Sequence, residues 1–414
     1  IELIRLGLSQ GGEFAEVYGE YTINTAIRFD EQKVKSVEYG VLSGAGIRVI
    51  AGDQVGYAYA DSFDKAELRE AAKVAAAVAP AGSGTRPAPF SISKAKAPFV
   101  LANPLPTTVA EEAKLAWCRS ADDAARSFDA RIRQVAVNYA DTSRRLLVAN
   151  SLWRWVEYEQ YVTRLTANAL ALDGANRQSA NARAGGQVEA DYFEKNPPAA
   201  VGKQAAEQAV AKLAARDAKG GAYEVIIGPG WGGVLVHECF GHSLEGDGIR
   251  KKTSVRASQL NQQVASTMVN IYDDSTVPNS RGSFKVDDEG TPSQRTHVVK
   301  DGILMGYLWD YLNGKLTGNA STGNGRRTSY RDYPIPRMTN TYIDDGTTPP
   351  EEIIRSVRNG LFCKDMGGGS VDPASGNFSF LVTAGYQIEF RYADIRDALR
   401  LIAAASGKNL ITPE

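Results

Sequence analysis

The chain's 414 residues include only three histidines, and two of them, with a carboxylate between, lie in the run His237-Glu238-Cys239-Phe240-Gly241-His242; the third is His297. Neutral imidazoles can hold a Zn²⁺ ion while an adjacent carboxylate takes a proton from water, which is the chemistry of metal-assisted hydrolysis. The usual spacing for that work is i, i+4, which separates two side chains by about 40° around a helix of about 100° per residue. Here the spacing is i, i+5, a splay of about 140° in a straight helix. A π-bulge would bring the rings back together, and Gly241 has the backbone freedom to form one, so a helix irregularity is expected at Phe240-Gly241. The competing reading is that both histidines bond backbone groups in the core or at a helix end, with Glu238 solvated. Cys239 points away from the pair on a helix and reads as a small buried apolar side chain.

The elements around the motif can be read from pattern. Val225-Ile226-Ile227 predicts a buried strand, Gly228-Pro229-Gly230 a turn, and 231–242 a helix, so the pair sits on a helix behind a strand. Downstream come Leu244-Glu245-Gly246-Asp247, Val286-Asp287-Asp288-Glu289-Gly290 and Gly323-Asn324-Gly325-Arg326-Arg327. As ordinary structure these are turns in which Arg pairs with carboxylate. As function, Glu245, Asp247, Asp288, Glu289, Asn324 and Arg326 would line a cleft over the metal and hold an extended peptide. His297, in Thr296-His297-Val298-Val299, reads as a structural strand residue.

Upstream, apolar and polar residues alternate from 14 to 61 and again from 131 to 173, which predicts hairpin-connected antiparallel strands. Helices are expected over 64–79, with Asp64 as N-cap, over 109–126 and over 199–217. Residues 80–106, rich in Pro, Gly and Ser, read as an extended connection. The fold class is therefore α+β. An N-terminal domain of antiparallel sheet with packed helices covers 1–220, and a mostly-β domain bearing the metal-site helix covers 221–389.

Composition narrows the function. Lys and Arg total 47 against 48 Asp and Glu, a net charge of −1, so no global positive field favours nucleic acid or an anionic membrane. Three scattered cysteines, Cys118, Cys239 and Cys363, suit a reducing compartment, and no apolar run approaches the roughly 20 residues that span a bilayer. A cytoplasmic location is expected.

The strings HECFGHSLEGD, QQVAS, VPNSRGSFKVDDEGTPSQRT, GYLWDYLN, TGNGRR, PIPRMTNTYI and MGGGSVDPASGNFSF resemble the TldD branch of the TldD/PmbA metallopeptidases, over roughly residues 1–389. The resemblance implies an HExxxH zinc site in which His237 and His242 ligate and Glu238 is the general base. It also implies a PmbA/TldE-type homologous subunit as partner and peptides or unfolded segments as substrate. Relatives of this kind continue beyond the strand ending at Glu389 into a glycine-rich region whose cysteine completes the zinc site. Residues 390–414 read instead as FRYADIRDALRLIAAASGKNLITPE, which offers no sulfur ligand and resembles the start of a secretin N-terminal domain. A helix carrying Ile395, Leu399, Ile402 and Ala403, capped by Gly407, is expected there. Glu245 or Asp247 could then supply an oxygen ligand, with Cys363 a remote candidate. An incomplete site would leave a catalytically silent peptide-binding subunit, and the missing strands would leave a bare sheet edge.

Overall fold

The two alternating regions of the N-terminal half fold into one sheet. The computed structural model describes residues 1–78, 93–94, 106–216, 218–389, 399–402 and 410–411. Strands Gln54–Ala60, Lys33–Ala51, Phe14–Asp30, Ile132–Asn150, Arg154–Asp173 and Asn176–Gly186 lie side by side in that order, all antiparallel. The chain is α+β. Most of the 80–106 connection lies outside the described residues, but Ser93–Lys94 pairs parallel to Arg154 and Trp155.

One face of this sheet is covered by helices. Glu2–Leu8 and Lys65–Val78 cover Ala15, Val17, Ile47 and Val49, and the alanines of the second helix allow close approach. Asp64 caps that helix as expected, its Oδ1 accepting from the backbone N–H of Ala66 and Glu67 at 2.8 and 3.1 Å. Helices Glu111–Arg126 and Pro198–Leu213 cover Val135, Val137, Leu165 and Ala167.

The opposite face carries Glu16, Tyr18, Glu20, Arg48 and Arg144. Alternating polar residues normally mark a solvated face. Here the C-terminal half lies on them, so Glu16, Glu20 and Arg48 are each at most 2% exposed.

The C-terminal half contains a four-stranded sheet built on Ile271–Asp274 and Arg295–Lys300, a two-stranded ribbon, Gly325–Arg326 with Ile335–Pro336, and a six-stranded sheet. In the last, Glu224–Ile227 runs parallel to Asn359–Val371, which pairs antiparallel with Phe378–Glu389. The expectation that Val225-Ile226-Ile227 is a buried strand is corrected. It is an edge strand and Val225 is 48% exposed, because a short β-branched run has no periodicity to separate an edge from a centre. Ala215–Arg216, just past the last N-terminal helix, also belongs to this sheet.

The helix expected in the tail is corrected where it can be seen. Leu399–Ile402 is a strand paired with Gly385 to Ile388, and Leu410–Ile411 continues the sheet. An open sheet edge offers backbone partners that outweigh helical periodicity. Ile395, Ala403 and Gly407 lie outside the described residues. Phe378 and Leu381, on the strand beyond the paired stretch, are 50% and 51% exposed.

Candidate metal centre

The helix Trp231–Cys239 starts after Gly230, whose φ of +84° few other residues adopt, and ends at Phe240. A 3₁₀ turn, Gly241–Leu244, follows directly. The irregularity therefore lies at Phe240-Gly241, but the expected π-bulge is corrected: the chain tightens into 3₁₀ geometry instead of widening. The role of Gly241 changes accordingly. A Cβ there would sit 1.8 Å from Met338 Sδ, so the position requires close approach and not a bulge. Gly241→Ala is expected to displace Met338, to cost about 1–3 kcal/mol and to weaken metal retention. Thermal unfolding and metal titration of the variant check both effects.

The break brings the two rings together. Their centroids are 4.8 Å apart with planes at 81°, and ligand atoms of His237, Glu238 and His242 all lie within 4.8 Å of one another. His242 Nδ1 is 3.2 Å from Glu245 Oε1, which fixes the ring and leaves Nε2 facing Glu238 Oε2 at 3.9 Å. Arg337 Nη1 lies 3.2 Å from the same Glu245 oxygen and holds that carboxylate. Burial, reinforced by His242, lowers the pKa of His237 and favours the neutral imidazole, the form that binds metal.

The pair opens on a cleft of about 610 Å³ walled by Arg326, Arg327, Arg331, Tyr333, Ile335 and Met338, among others. Two imidazoles with a free carboxylate beside them suit Zn²⁺, and the imidazole nitrogens lie no more than 1 Å farther apart than two bonds of about 2.1 Å would span. The donor set fits that ion. Among the described residues no other group of three or more His, Cys, Asp or Glu side chains is close enough to hold a metal.

The other expected site residues divide. Glu245 supports His242, and Arg326 is in the cleft wall. Asp247 is not in the wall; its side chain is 3.7 Å from Lys251. The reading of Asp288, Glu289 and Asn324 as cleft residues is corrected, since each is at most 3% exposed. Asn324 donates to Asp273 Oδ2 at 2.7 Å and to the Arg337 carbonyl at 2.9 Å, and so fixes the segment after the strand Ile335–Pro336 that carries Arg337 and Met338. Cys363 is buried in the strand Asn359–Val371, outside the histidine group. His297 stacks on Tyr272 and meets Asn270. Arg331, Tyr333 and Met338 were not expected; four arginines within 326–337 were the signal.

Asp288 and Glu289 belong to an ionic layer between the halves. Arg48 Nη2 reaches Glu289 at 2.7 Å and Glu16 at 3.3 Å, while Arg327 Nη2 reaches Glu16 at 2.6 Å. Arg144 bonds Glu20, which accepts from the Tyr330 N–H. The layer thus ties the N-terminal sheet to the segment that walls the cleft.

Burial pushes Asp287 up to about 7 and Glu289 up to about 8; for Glu289, Asp310, Asp287 and Glu16 add negative charge that offsets Arg48. Both values exceed the ordinary carboxylate range, so the folded chain keeps protons that the unfolded chain releases above about pH 4.5. That stability is fully present below this window and is lost as pH rises towards 8. The urea midpoint is expected to be lower at about pH 8.5 than at about pH 5.5, and Glu289→Gln should shrink the difference.

Comparison with known proteins agrees with this architecture. Residues 15–79, 104–213 and 220–390 match, in turn, domain 1, the central domain and the C-terminal domain of the PmbA/TldA metallopeptidases. A metalloprotease TldD homolog of Haemophilus influenzae is 33% identical over 384 residues, covering 91% of this chain and 80% of the relative. A metalloprotease of Methanothermobacter thermautotrophicus is 28% identical over 91% of this chain and 82% of its own. The fold is shared with TldE of Thermococcus kodakarensis, at a TM-score of 0.76 and 21% identity over 97% of this chain and 90% of that one. The chain belongs to the TldD/PmbA family of metallopeptidases.

Proposed function

We propose that this chain is a TldD-type zinc peptidase subunit that hydrolyses peptides or unfolded segments in the cytoplasm beside a PmbA/TldE-type homologous subunit. The observation that carries the reading is the convergence of His237, Glu238 and His242 within 4.8 Å, with both histidines lining an open cleft. His237 and His242 would hold the zinc, which when bound supplies Lewis acidity towards a substrate carbonyl. Glu238 accepts the proton of the attacking water on a carboxylate oxygen and returns it to the leaving amine nitrogen. Glu245, held by Arg337, keeps the His242 ring in place through Nδ1. The near-balanced charge argues for peptide rather than nucleic acid as substrate, and among the described residues no helix is long and apolar enough to cross a membrane.

Stripping the metal with dipicolinate is expected to abolish cleavage of an unfolded protein, and added Zn²⁺ to restore it. Cleavage that survives complete stripping would rule out metal-assisted hydrolysis.

A second reading, a silent peptide-binding or scaffold subunit, is favoured by one observation. A catalytic zinc usually has three protein ligands, and the only described group of three includes Glu238, the proposed base. Tight peptide binding with no cleavage in saturating Zn²⁺ is the result that reading expects.

A further inference from the structure

The wall of the cleft is strongly cationic. It contributes Arg326, Arg327, Arg331 and Arg337 against one carboxylate, Asp332. Three of the four arginines have an acidic partner. Arg327 meets Glu16 at 2.6 Å, Arg331 meets Asp61 at 3.0 Å, and Arg337 meets Glu245 at 3.2 Å.

Arg326 differs. It stands on the short ribbon opposite Ile335, which also lines the cleft. Its Nη1 donates to the Met338 carbonyl at a long 3.4 Å, and its guanidinium lies 5.5 Å from the Phe284 ring. Among the described residues no carboxylate comes within ion-pair distance of it. A guanidinium has five N–H donors in a planar fork that matches a carboxylate in two places. Holding that group half-buried without an anion is costly, and the nearby Ile335 and Met338 reduce the screening that water would give.

We propose that the cleft takes a carboxylate of the peptide substrate, received by Arg326 beside the histidine pair. The inference rests on the peptidase reading for the word substrate, but the recognition itself needs no hydrolysis. The carboxylate is either a free C-terminus or an acidic side chain, and both present the same two oxygens. Arg337, half-exposed in the same wall, adds a second positive charge. Arg326 thereby becomes a specificity residue that sets which end or which side chain of the peptide lies over the histidine pair.

The test uses the full chain, metal-free so that nothing is cleaved, and fluorescence anisotropy with three dansylated probes. These are hexa-alanine with a free C-terminus, its C-terminal amide, and the amide with one Ala replaced by Asp. At least one carboxylate-bearing probe is expected to bind about tenfold more tightly than the plain amide. The preference should vanish in Arg326→Gln, survive in part in Arg326→Lys, and fall at high salt. Tight binding of the free-acid probe alone assigns the C-terminus; tight binding of the Asp amide assigns the side chain. Equal affinity for all three probes, or an unchanged preference in an Arg326→Gln protein with a wild-type unfolding midpoint, overturns the proposal. Hydrolysis measured separately with Zn²⁺ keeps the two readings apart. Cleavage without carboxylate preference sinks this inference alone, and preference without cleavage sinks the peptidase reading alone.

Discussion

Glu238→Gln is expected to lower peptide hydrolysis by about 10²–10⁴-fold, the range typical of removing a general base, while zinc stays bound. The amide keeps the size and shape of the carboxylate but cannot take a proton from water. The two imidazoles, placed by the break at Phe240, are untouched. The comparison that matters is between rate and metal content in the same preparation. Loss of rate with zinc retained assigns Glu238 to proton transfer. Loss of both together would mean that Glu238 is itself a ligand, and the assignment of roles within the motif would have to change.

Arg48→Ala is expected to destabilise the protein by about 3–5 kcal/mol, the cost of stranding a buried charge partner. Arg48 is 1% exposed and serves both Glu16 and Glu289. Without it Glu16 keeps Arg327 alone and Glu289 loses its charged donor, in a space that water does not reach, beside Asp310 and Asp287. Because Arg327 shares Glu16 and also walls the cleft, peptide binding should weaken along with stability. Urea unfolding read at two wavelengths would register both the loss of midpoint and any separation of the two halves. A change under about 1 kcal/mol, the range of an exposed pair, would show that the ionic layer is not what joins them.

The candidate metal motif stood out because chemistry constrains such a site to a few residue types at close spacing. Two of the chain's three histidines flanking a glutamate is a pattern that needs no structure to notice. The strand alternation of the N-terminal half and the Asp64 cap were legible for a similar reason, since period and cap are local. What could not be read was what covers a polar face. Glu16, Glu20 and Arg48 have the alternation of solvated residues, and only a contact across more than two hundred positions, such as Arg48 with Glu289, buries them. The same long-range packing removed Asp288, Glu289 and Asn324 from the cleft and made them its supports. Gly241 was singled out correctly as special but for a different reason, because the approach of Met338 from a distant loop leaves no trace in the helix sequence. The tail was misread at Leu399 to Ile402 because helical periodicity is weak information beside a sheet edge that needs a partner.

The central claim is that this chain holds a metal through His237 and His242. Zinc content of the purified chain and of His237→Ala, by elemental analysis, tests it most directly. The account predicts close to one zinc per chain in the wild type, lost in the variant. No zinc in either protein, after exposure to excess Zn²⁺, would contradict it and leave a peptide-binding subunit with the family's fold and without its chemistry.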